Sequence, residues 1–117
     1  MPLARIEINR DASPELVRVV SEAVYKAMVE IANAPPHDKF QIINRHTDDE
    51  IIFPKEGYLG LTYTRNLIII QVTWVSGRST EVKKKFYRQI AEEKIIRFCS
   101  PSMAWSMRSA TCGSLRI

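Results

Sequence analysis

The sequence predicts an α/β (α+β) fold, in which a tandem β-α-β repeat packs two helices on one face of a four-stranded mixed sheet. A strand pattern, a short polar turn, a serine and an amphipathic helix pattern follow one another from residue 2. The same layout recurs from residue 67 onward. A chain of 117 residues can build one hydrophobic core, so we expect residues 1–117 to form a single domain.

The first repeat begins with a strand over residues 2–9, in which polar and apolar side chains alternate. Ser13 and Pro14 are typical of a helix N-cap and of the first helical position, and they predict a helix over residues 14–33. A strand over residues 40–46 completes a β-α-β unit, which we expect to be right-handed. The helix residues expected to face the core are Leu16, Val20, Ala23, Val24, Ala27, Met28 and Ile31.

The second repeat follows a polar segment, residues 47–65, which is predicted to be a long loop. Residues 67–74 form a nearly continuous apolar run, which is typical of a strand buried on both faces. Ser79 is predicted to cap the second helix. The apolar face of that helix consists of Val82, Phe86, Ile90 and Ala91.

The last part of the chain, residues 94–117, does not complete the repeat. Residues 98–117 are rich in serine, contain no acidic residue, and show neither a strand nor a helix pattern. The abrupt change after Glu93 suggests an altered C-terminus, such as one produced by a shifted reading frame. Cys99 and Cys112 lack the further partners of a zinc site, so we expect free thiols.

The charge distribution argues against binding to DNA or RNA. All thirteen acidic residues precede residue 94, and the net charge of +4 comes from the basic residues of the tail. A nucleic-acid surface would combine a basic cluster with stacking aromatic residues, and the sequence shows no such combination. No apolar run approaches a membrane span and no secretory signal pattern is visible, so we expect a cytoplasmic protein. The basic residues of the tail are Lys94, Arg97, Arg108 and Arg116.

The start of the chain contains a candidate catalytic group. If Met1 is removed, Pro2 becomes the N-terminal residue and carries a secondary amine instead of an amide. An α-amino group has a pKa of about 8, and burial lowers that pKa because desolvation disfavours the cation. Pro2 is therefore a candidate general base near neutral pH. The alternative is that Met-Pro is an ordinary way for a chain to begin.

Four segments occur in an order that is typical of one enzyme superfamily. They are Met-Pro-Leu at residues 1–3, Asp-Lys-Phe-Gln-Ile at 38–42, Ile-Gln-Val-Thr at 70–73 with Gly-Arg-Ser at 77–79, and Lys-Lys-Phe-Tyr at 84–87. Together they resemble the tautomerase superfamily, and within it the group similar to malonate semialdehyde decarboxylase. The resemblance covers residues 2–93 and leaves residues 94–117 as an atypical tail.

The resemblance implies a homotrimer whose active site surrounds the N-terminal proline, here Pro2. In isomerising members the proline nitrogen moves a proton between carbon and oxygen of an α-keto acid. In decarboxylating members a cationic proline polarises a carbonyl or forms an imine. The resemblance also implies that Asp38 orients the substrate or a water, and that Arg78 binds the substrate carboxylate. An arginine suits that role because its guanidinium offers two parallel hydrogen bonds.

Structural alternatives exist for each of these side chains. Asp38 could cap the chain or pair near Lys39, and Arg78 could be a surface turn residue. We expect His46 to be a solvated or hydrogen-bonded histidine and Tyr25 to be a packed aromatic residue. The sequence contains no cluster with metal-ligand spacing and no glycine-rich phosphate loop, so neither a metal nor a cofactor is expected.

Two departures from the family pattern bear on the reaction. The decarboxylase pattern has two arginines before the second helix, whereas residues 74–78 contain only Arg78, and no acid after Glu93 could activate water. We therefore expect a cofactor-independent tautomerase of a small α-keto acid, with Pro2 as base and acid. One alternative is a decarboxylase or hydratase of a 3-oxo acid such as malonate semialdehyde, using cationic Pro2 with Asp38 and Arg78. Another is a catalytically impaired trimeric interaction protein.

Overall fold

The computed structural model describes residues 2–57 and 63–92, and the backbone of residues 114–116. The sheet has the strand order β2-β1-β3-β4, and both parallel and antiparallel pairs occur in it. The mixed sheet and the two helices that the sequence predicts are therefore present. In chain order the elements are β1 (Leu3–Asn9), α1 (Pro14–Glu30), β2 (Gln41–His46), β3 (Ile69–Thr73), α2 (Thr80–Glu92) and β4 (Ser114–Arg116).

The strand pairing shows how far the repeat extends. β1 and β2 are parallel, with Ala4 opposite Gln41, as a connection through α1 requires. β1 and β3 are antiparallel, with Leu3 opposite Thr73. The backbone of β4 pairs antiparallel with β3, in a segment where the sequence shows no strand pattern. A second β-α-β unit would need a parallel partner for β3, so the described part of the second half repeats only the strand and the helix.

The first helix begins where the sequence predicts and ends earlier. Its N-cap is Ser13, whose Oγ accepts a hydrogen bond from the N–H of Leu16 at 3.1 Å. The sequence pattern predicts a helix as far as residue 33, but Asn33 has φ 53°. This left-handed conformation is typical of the chain reversal after a helix, and the last helical residue is Glu30.

Both helices pack on the same face of the sheet. In β1 the side chains of Ala4, Ile6 and Ile8 are buried and that of Arg5 is exposed, which confirms the predicted alternation. Full burial of a large apolar side chain contributes about 1.5–3 kcal/mol. The largest fully buried side chains belong to one core and come from the sheet, the segment before β3 and both helices; they are Phe86, Ile6, Ile8, Ile68, Ile70, Ile90, Val20 and Val24.

The burial of β3 differs from the prediction. Its apolar run predicts a strand buried on both faces, but Gln71 and Thr73 are exposed while Ile70 and Val72 are buried. The prediction is wrong because the two helices cover the same face of the sheet. On the other face of β3, Gln71 and Thr73 therefore remain exposed in the single chain, while Ile69 is half-buried.

Several predictions fall outside the described residues. They concern the free thiols Cys99 and Cys112 and the pattern of the tail before residue 114. Within the described part of the chain, no helix combines the length and the apolar character needed to cross a membrane.

Candidate active site

One edge of the sheet brings together the segments that carry the three predicted site residues. Pro2 immediately precedes β1, Asp38 lies before β2, and Arg78 lies after β3. β1 is parallel to β2 and antiparallel to β3. The beginnings of β1 and β2 and the end of β3 therefore lie at the same edge.

Pro2 and Asp38 line the same small cavity at this edge. Pro2 is buried and Asp38 is half-buried. The cavity volume is about 10 Å³, close to the space that one water molecule needs. A keto acid is larger than this space, so the described residues of the cavity do not by themselves enclose one. The other lining residues are Ala4, Val24, Tyr25, Met28, Lys39, Phe40 and Gln41.

The carboxylate of Asp38 makes no hydrogen bond or ion pair with any residue that the structure describes. Lys39, the neighbour with which it could pair, has other contacts. Its Nζ lies 4.0 Å from Oε1 of Glu22 and 5.1 Å from the centre of the Tyr25 ring. An ionised carboxylate is an acceptor of hydrogen bonds, so Asp38 is available to accept one from a bound molecule or a water.

Tyr25 belongs to this edge, although the sequence predicts only a packed aromatic residue. Its ring lines the cavity with Pro2 and Asp38. Its Oη accepts a hydrogen bond from the backbone N–H of His37 at 3.3 Å. Tyr25 is half-buried at the border of the apolar face of α1, where a tyrosine can pack its ring and still offer its hydroxyl to a neighbouring segment. That border position is the sequence signal that could have identified it.

The structure places Arg78 at the same edge but does not include it among the residues of the Pro2 cavity. Its Nε donates to the backbone carbonyl of Ala32 at 3.0 Å, and its guanidinium lies 5.4 Å from the centre of the Trp74 ring. These two contacts hold the planar group at the C-terminal end of α1. With the described residues, its terminal nitrogens form no hydrogen bond, so they can approach an anion.

A second polar cluster surrounds His46 at the far end of β2. Its Nε2 forms a short hydrogen bond with Oε2 of Glu7, and Asn44 donates to Oε1 of Glu7 at 3.0 Å. The hydrogen bond to Glu7 raises the pKa of His46 above its ordinary value. Burial acts to raise the pKa of Glu7, but the hydrogen bonds from His46 and Asn44 outweigh burial and lower it. His46 is therefore hydrogen-bonded, as the sequence predicts, and distant along the strands from Pro2.

A larger cavity of about 500 Å³ lies at that opposite edge, against the loop that follows β2. Three of its polar residues, Asn9, Asp48 and Arg65, are linked by a hydrogen bond and an ion pair. Nδ2 of Asn9 donates to Oδ1 of Asp48 at 2.8 Å, while Arg65 donates to Asp11 at 2.7 Å and lies 3.3 Å from Asp48. These contacts connect the loop to the end of β1, and none of the predicted site residues lines this cavity.

Comparisons with known proteins identify relatives over most of the chain. A family model described as a tautomerase enzyme matches residues 38–95, which include Asp38 and Arg78. The probable tautomerase YrdN of Bacillus subtilis (strain 168) is 33% identical over 92 residues, which cover 79% of this chain and 70% of YrdN. The probable tautomerase YusQ of the same organism is 33% identical over 91 residues, which cover 78% of this chain and 71% of YusQ.

Solved structures show the same fold. FG41 malonate semialdehyde decarboxylase, inhibited by 3-bromopropiolate, matches with a TM-score of 0.66 and 34% identity over 77% of this chain and 68% of that one. A malonate semialdehyde decarboxylase studied for its decarboxylase and hydratase activities matches with a TM-score of 0.67 and 23% identity over 86% of this chain and 75% of that one. A fused 4-OT described as a symmetric trimer matches with a TM-score of 0.59 and 18% identity over 81% and 72%.

The last two structures are similar in fold, and the sequence relatives establish the family. Two proteins share a third of their residues with this chain over most of their own length. The family model, the fold and the order of the site segments all agree with them. The chain therefore belongs to the tautomerase family and is an enzyme of the tautomerase type.

Proposed function

We propose that this enzyme is a cofactor-independent tautomerase that interconverts the enol and keto forms of a small α-keto acid. Pro2, made N-terminal by removal of Met1, is its base and acid. One observation carries the proposal: buried Pro2 shares a cavity with Asp38, whose carboxylate has no other partner among the described residues. The curated relatives, which are named as probable tautomerases, support the same chemistry.

Substrate binding depends on Arg78 in this proposal. The substrate carboxylate accepts hydrogen bonds from the terminal nitrogens of its guanidinium. The Nε–H is already bonded to Ala32 and the plane lies against Trp74, so little side-chain freedom remains to be lost on binding. Arg78 thus holds the keto acid by its carboxylate at this edge of the sheet, with the reacting atoms toward Pro2.

The proton transfer uses the free amine of Pro2. The amine takes the proton of the enol hydroxyl, and the resulting cation gives a proton to the substrate carbon. The keto acid forms and the amine is regenerated, so no other reactant is needed. An α-amino pKa of about 8 is lowered by the apolar walls that Ala4, Val24 and Met28 provide. Asp38 orients the substrate or a water by accepting a hydrogen bond.

The carboxylate of Asp38 also supports a second candidate function. A negative charge beside the Pro2 amine favours its cation and opposes the effect of the apolar walls. A cationic Pro2 would suit decarboxylation or hydration of a 3-oxo acid such as malonate semialdehyde, with Arg78 binding the carboxylate. The 34% identity with FG41 malonate semialdehyde decarboxylase favours this candidate. The two functions thus differ in the charge state of one amine.

We further propose that the enzyme is a homotrimer. β2, the outermost strand of the sheet, and the residue directly before it expose three large apolar side chains, Phe40, Ile42 and Ile43. A neighbouring subunit would remove them from water. A structural neighbour is described as a symmetric trimer. Light scattering on the purified enzyme should give three times the chain mass of 13.5 kDa. A monomeric mass at micromolar concentration would contradict the trimer.

The catalytic proposal is tested by replacing the proline. Enol-to-keto conversion of phenylpyruvate, followed by ultraviolet absorbance, should fall by a factor of about 100 in Pro2→Ala, because the primary amine of an N-terminal alanine lacks the ring that holds the proline nitrogen in place. Pro14→Ala, which removes the exposed proline at the start of α1, is the matched control and should keep its rate. Mass spectrometry must first show that Met1 is absent. Equal rates in the Pro2→Ala and parent enzymes would contradict the proposed role of Pro2 in both reactions, whereas no turnover above background in the parent enzyme would favour an interaction protein.

The pH dependence separates the two reactions. Tautomerisation needs the free amine, so its rate should rise with pH through the pKa of Pro2. Decarboxylation needs the cation, so its rate should fall over the same range. Carbon dioxide release from malonate semialdehyde, lost in Asp38→Asn, together with a falling profile would favour the second candidate.

A further inference from the structure

The turn that carries Asp38 has an unusual backbone conformation. His37, the residue before it, has φ 78°. Side-chain-bearing residues rarely adopt this left-handed conformation, and it persists only where surrounding contacts hold it. The N–H of Asp38 donates to the carbonyl of Pro35 at 3.1 Å. This hydrogen bond closes the turn but does not connect it to the rest of the fold.

Tyr25 supplies contacts between this turn and α1 on both sides of Asp38. Its Oη accepts the N–H of His37 at 3.3 Å. Its ring lies 5.1 Å from Nζ of Lys39, within the range of a cation–π contact. The same ring lines the cavity with Pro2 and Asp38. A single side chain therefore holds the residue before Asp38 and the residue after it.

We propose that Tyr25 is a positioning residue that holds the turn around Asp38 and thereby sets the place of its carboxylate relative to Pro2. The inference depends on the proposed catalytic function of Pro2 and Asp38. Tyr25 belongs to α1, where Val24 and Met28 are buried in the core. Through its contacts, Tyr25 therefore fixes the position of the turn relative to α1. Small errors in the place of a group that contacts the substrate cost large factors in rate.

A purely packing role would depend on the ring, whereas a positioning role depends on the hydroxyl as well. Tyr25→Phe keeps the ring, its contact with Lys39 and the wall of the cavity, and removes only the acceptor for His37. We expect kcat to fall by about tenfold with a smaller change in KM, because the turn is less well held while Arg78 still binds the carboxylate. Tyr63→Phe, at the edge of the ring of Phe53, is the matched control and should keep its rate.

Two further variants distinguish positioning from a general structural defect. In the Asp38→Asn background, Tyr25→Phe should cause little additional loss, because both changes act through the same carboxylate. In the Tyr25→Phe background, His37→Gly should recover most of the lost rate. Glycine adopts a φ near 78° without steric cost, so the turn no longer needs the hydroxyl. An equal loss in the parent and Asp38→Asn backgrounds, or no recovery with His37→Gly, would overturn the proposal.

A measurement that does not depend on catalysis tests the role of Tyr25 separately from the proposed reaction. Hydrogen exchange of the His37 amide, followed by NMR, should be at least about tenfold faster in Tyr25→Phe, since the amide loses its acceptor. Exchange in Tyr63→Phe should match the parent protein. Unchanged exchange would overturn the positioning role whether or not the enzyme turns over phenylpyruvate. Faster exchange in a protein whose Pro2→Ala variant keeps full activity would reject the proposed catalysis alone.

Discussion

The Nε–H of Arg78 donates to the carbonyl of Ala32 at 3.0 Å and so connects the turn before α2 to the end of α1. The guanidinium also lies 5.4 Å from the centre of the Trp74 ring. The arginine that we propose as the carboxylate binder is therefore part of the structure even without substrate. Its replacement should affect both stability and binding, and the two effects can be measured separately.

For Arg78→Lys, we expect KM for the keto acid to rise by about tenfold, a loss of roughly 1.4 kcal/mol, because an ammonium cannot form the two parallel hydrogen bonds of a guanidinium. We expect the free energy of unfolding to fall by about 1 kcal/mol because the buried Ala32 loses its side-chain donor. Steady-state kinetics and urea unfolding measure the two effects. Arg88→Lys, on an exposed position of α2, should change neither. A loss of stability with an unchanged KM would limit Arg78 to a structural role.

Asp38→Asn tests whether the carboxylate acts in the reaction. The described residues give this carboxylate no partner, so we expect the free energy of unfolding to change by less than about 0.5 kcal/mol. The rate should nevertheless fall by about tenfold to a hundredfold, because an amide lacks the charge and one acceptor atom. Asp49→Asn, in the exposed loop after β2, is the control. A destabilised variant with a normal rate would instead indicate a structural aspartate.

The Glu7–His46 pair predicts how stability depends on pH. Because folding raises the pKa of His46, this residue contributes to the free energy of unfolding. The contribution is complete when the pH is below the ordinary pKa of 6.5 and is lost as the pH rises through the folded-state pKa. Because folding lowers the pKa of Glu7, this residue also contributes to the free energy of unfolding. Its contribution is present when the pH is above the ordinary pKa of 4.5 and is lost as the pH falls through the folded-state pKa. The pair should therefore stabilise the fold most between pH 4.5 and pH 6.5.

His46→Gln measures this contribution. The difference in the free energy of unfolding between parent and variant should be roughly 0.5–1 kcal/mol near the middle of that range and smaller in alkaline solution. Glu50 also faces the ring, with its carboxylate 3.7 Å from Nδ1 of His46, so its charge acts in the same direction. A pH-independent difference for His46→Gln would contradict the prediction.

The cap of α1 gives a test of the fold that is independent of the site. Ser13→Ala removes the acceptor for the N–H of Leu16 and should lower the free energy of unfolding by about 1 kcal/mol. Thermal or urea unfolding measures it. Ser76→Ala, in the exposed turn before α2, should be nearly neutral. Equal free energies of unfolding for the two variants would show that the Ser13 cap does not stabilise α1.

Local features of the fold could be predicted because they depend on neighbouring residues. The alternation in β1 and the serine caps of both helices agree with the structure. The end of α1 could not be predicted from its apolar periodicity, which continues to Ile31, whereas the helix ends at Glu30 and the chain reverses at the left-handed Asn33. The exposure of Gln71 and Thr73 also could not be predicted, because it depends on which face of the sheet the helices cover.

The sequence by itself determined the family resemblance, the nature of the chemistry-bearing side chains and the positions of Pro2, Asp38 and Arg78 beside the strands. Only the tertiary structure decided which groups meet. In the folded chain, Asp38 lines the cavity of Pro2, Lys39 contacts the ring of Tyr25, and Arg78 donates a hydrogen bond to Ala32. These contacts connect residues far apart in the chain and depend on strand order and register, which hydrophobic periodicity does not specify.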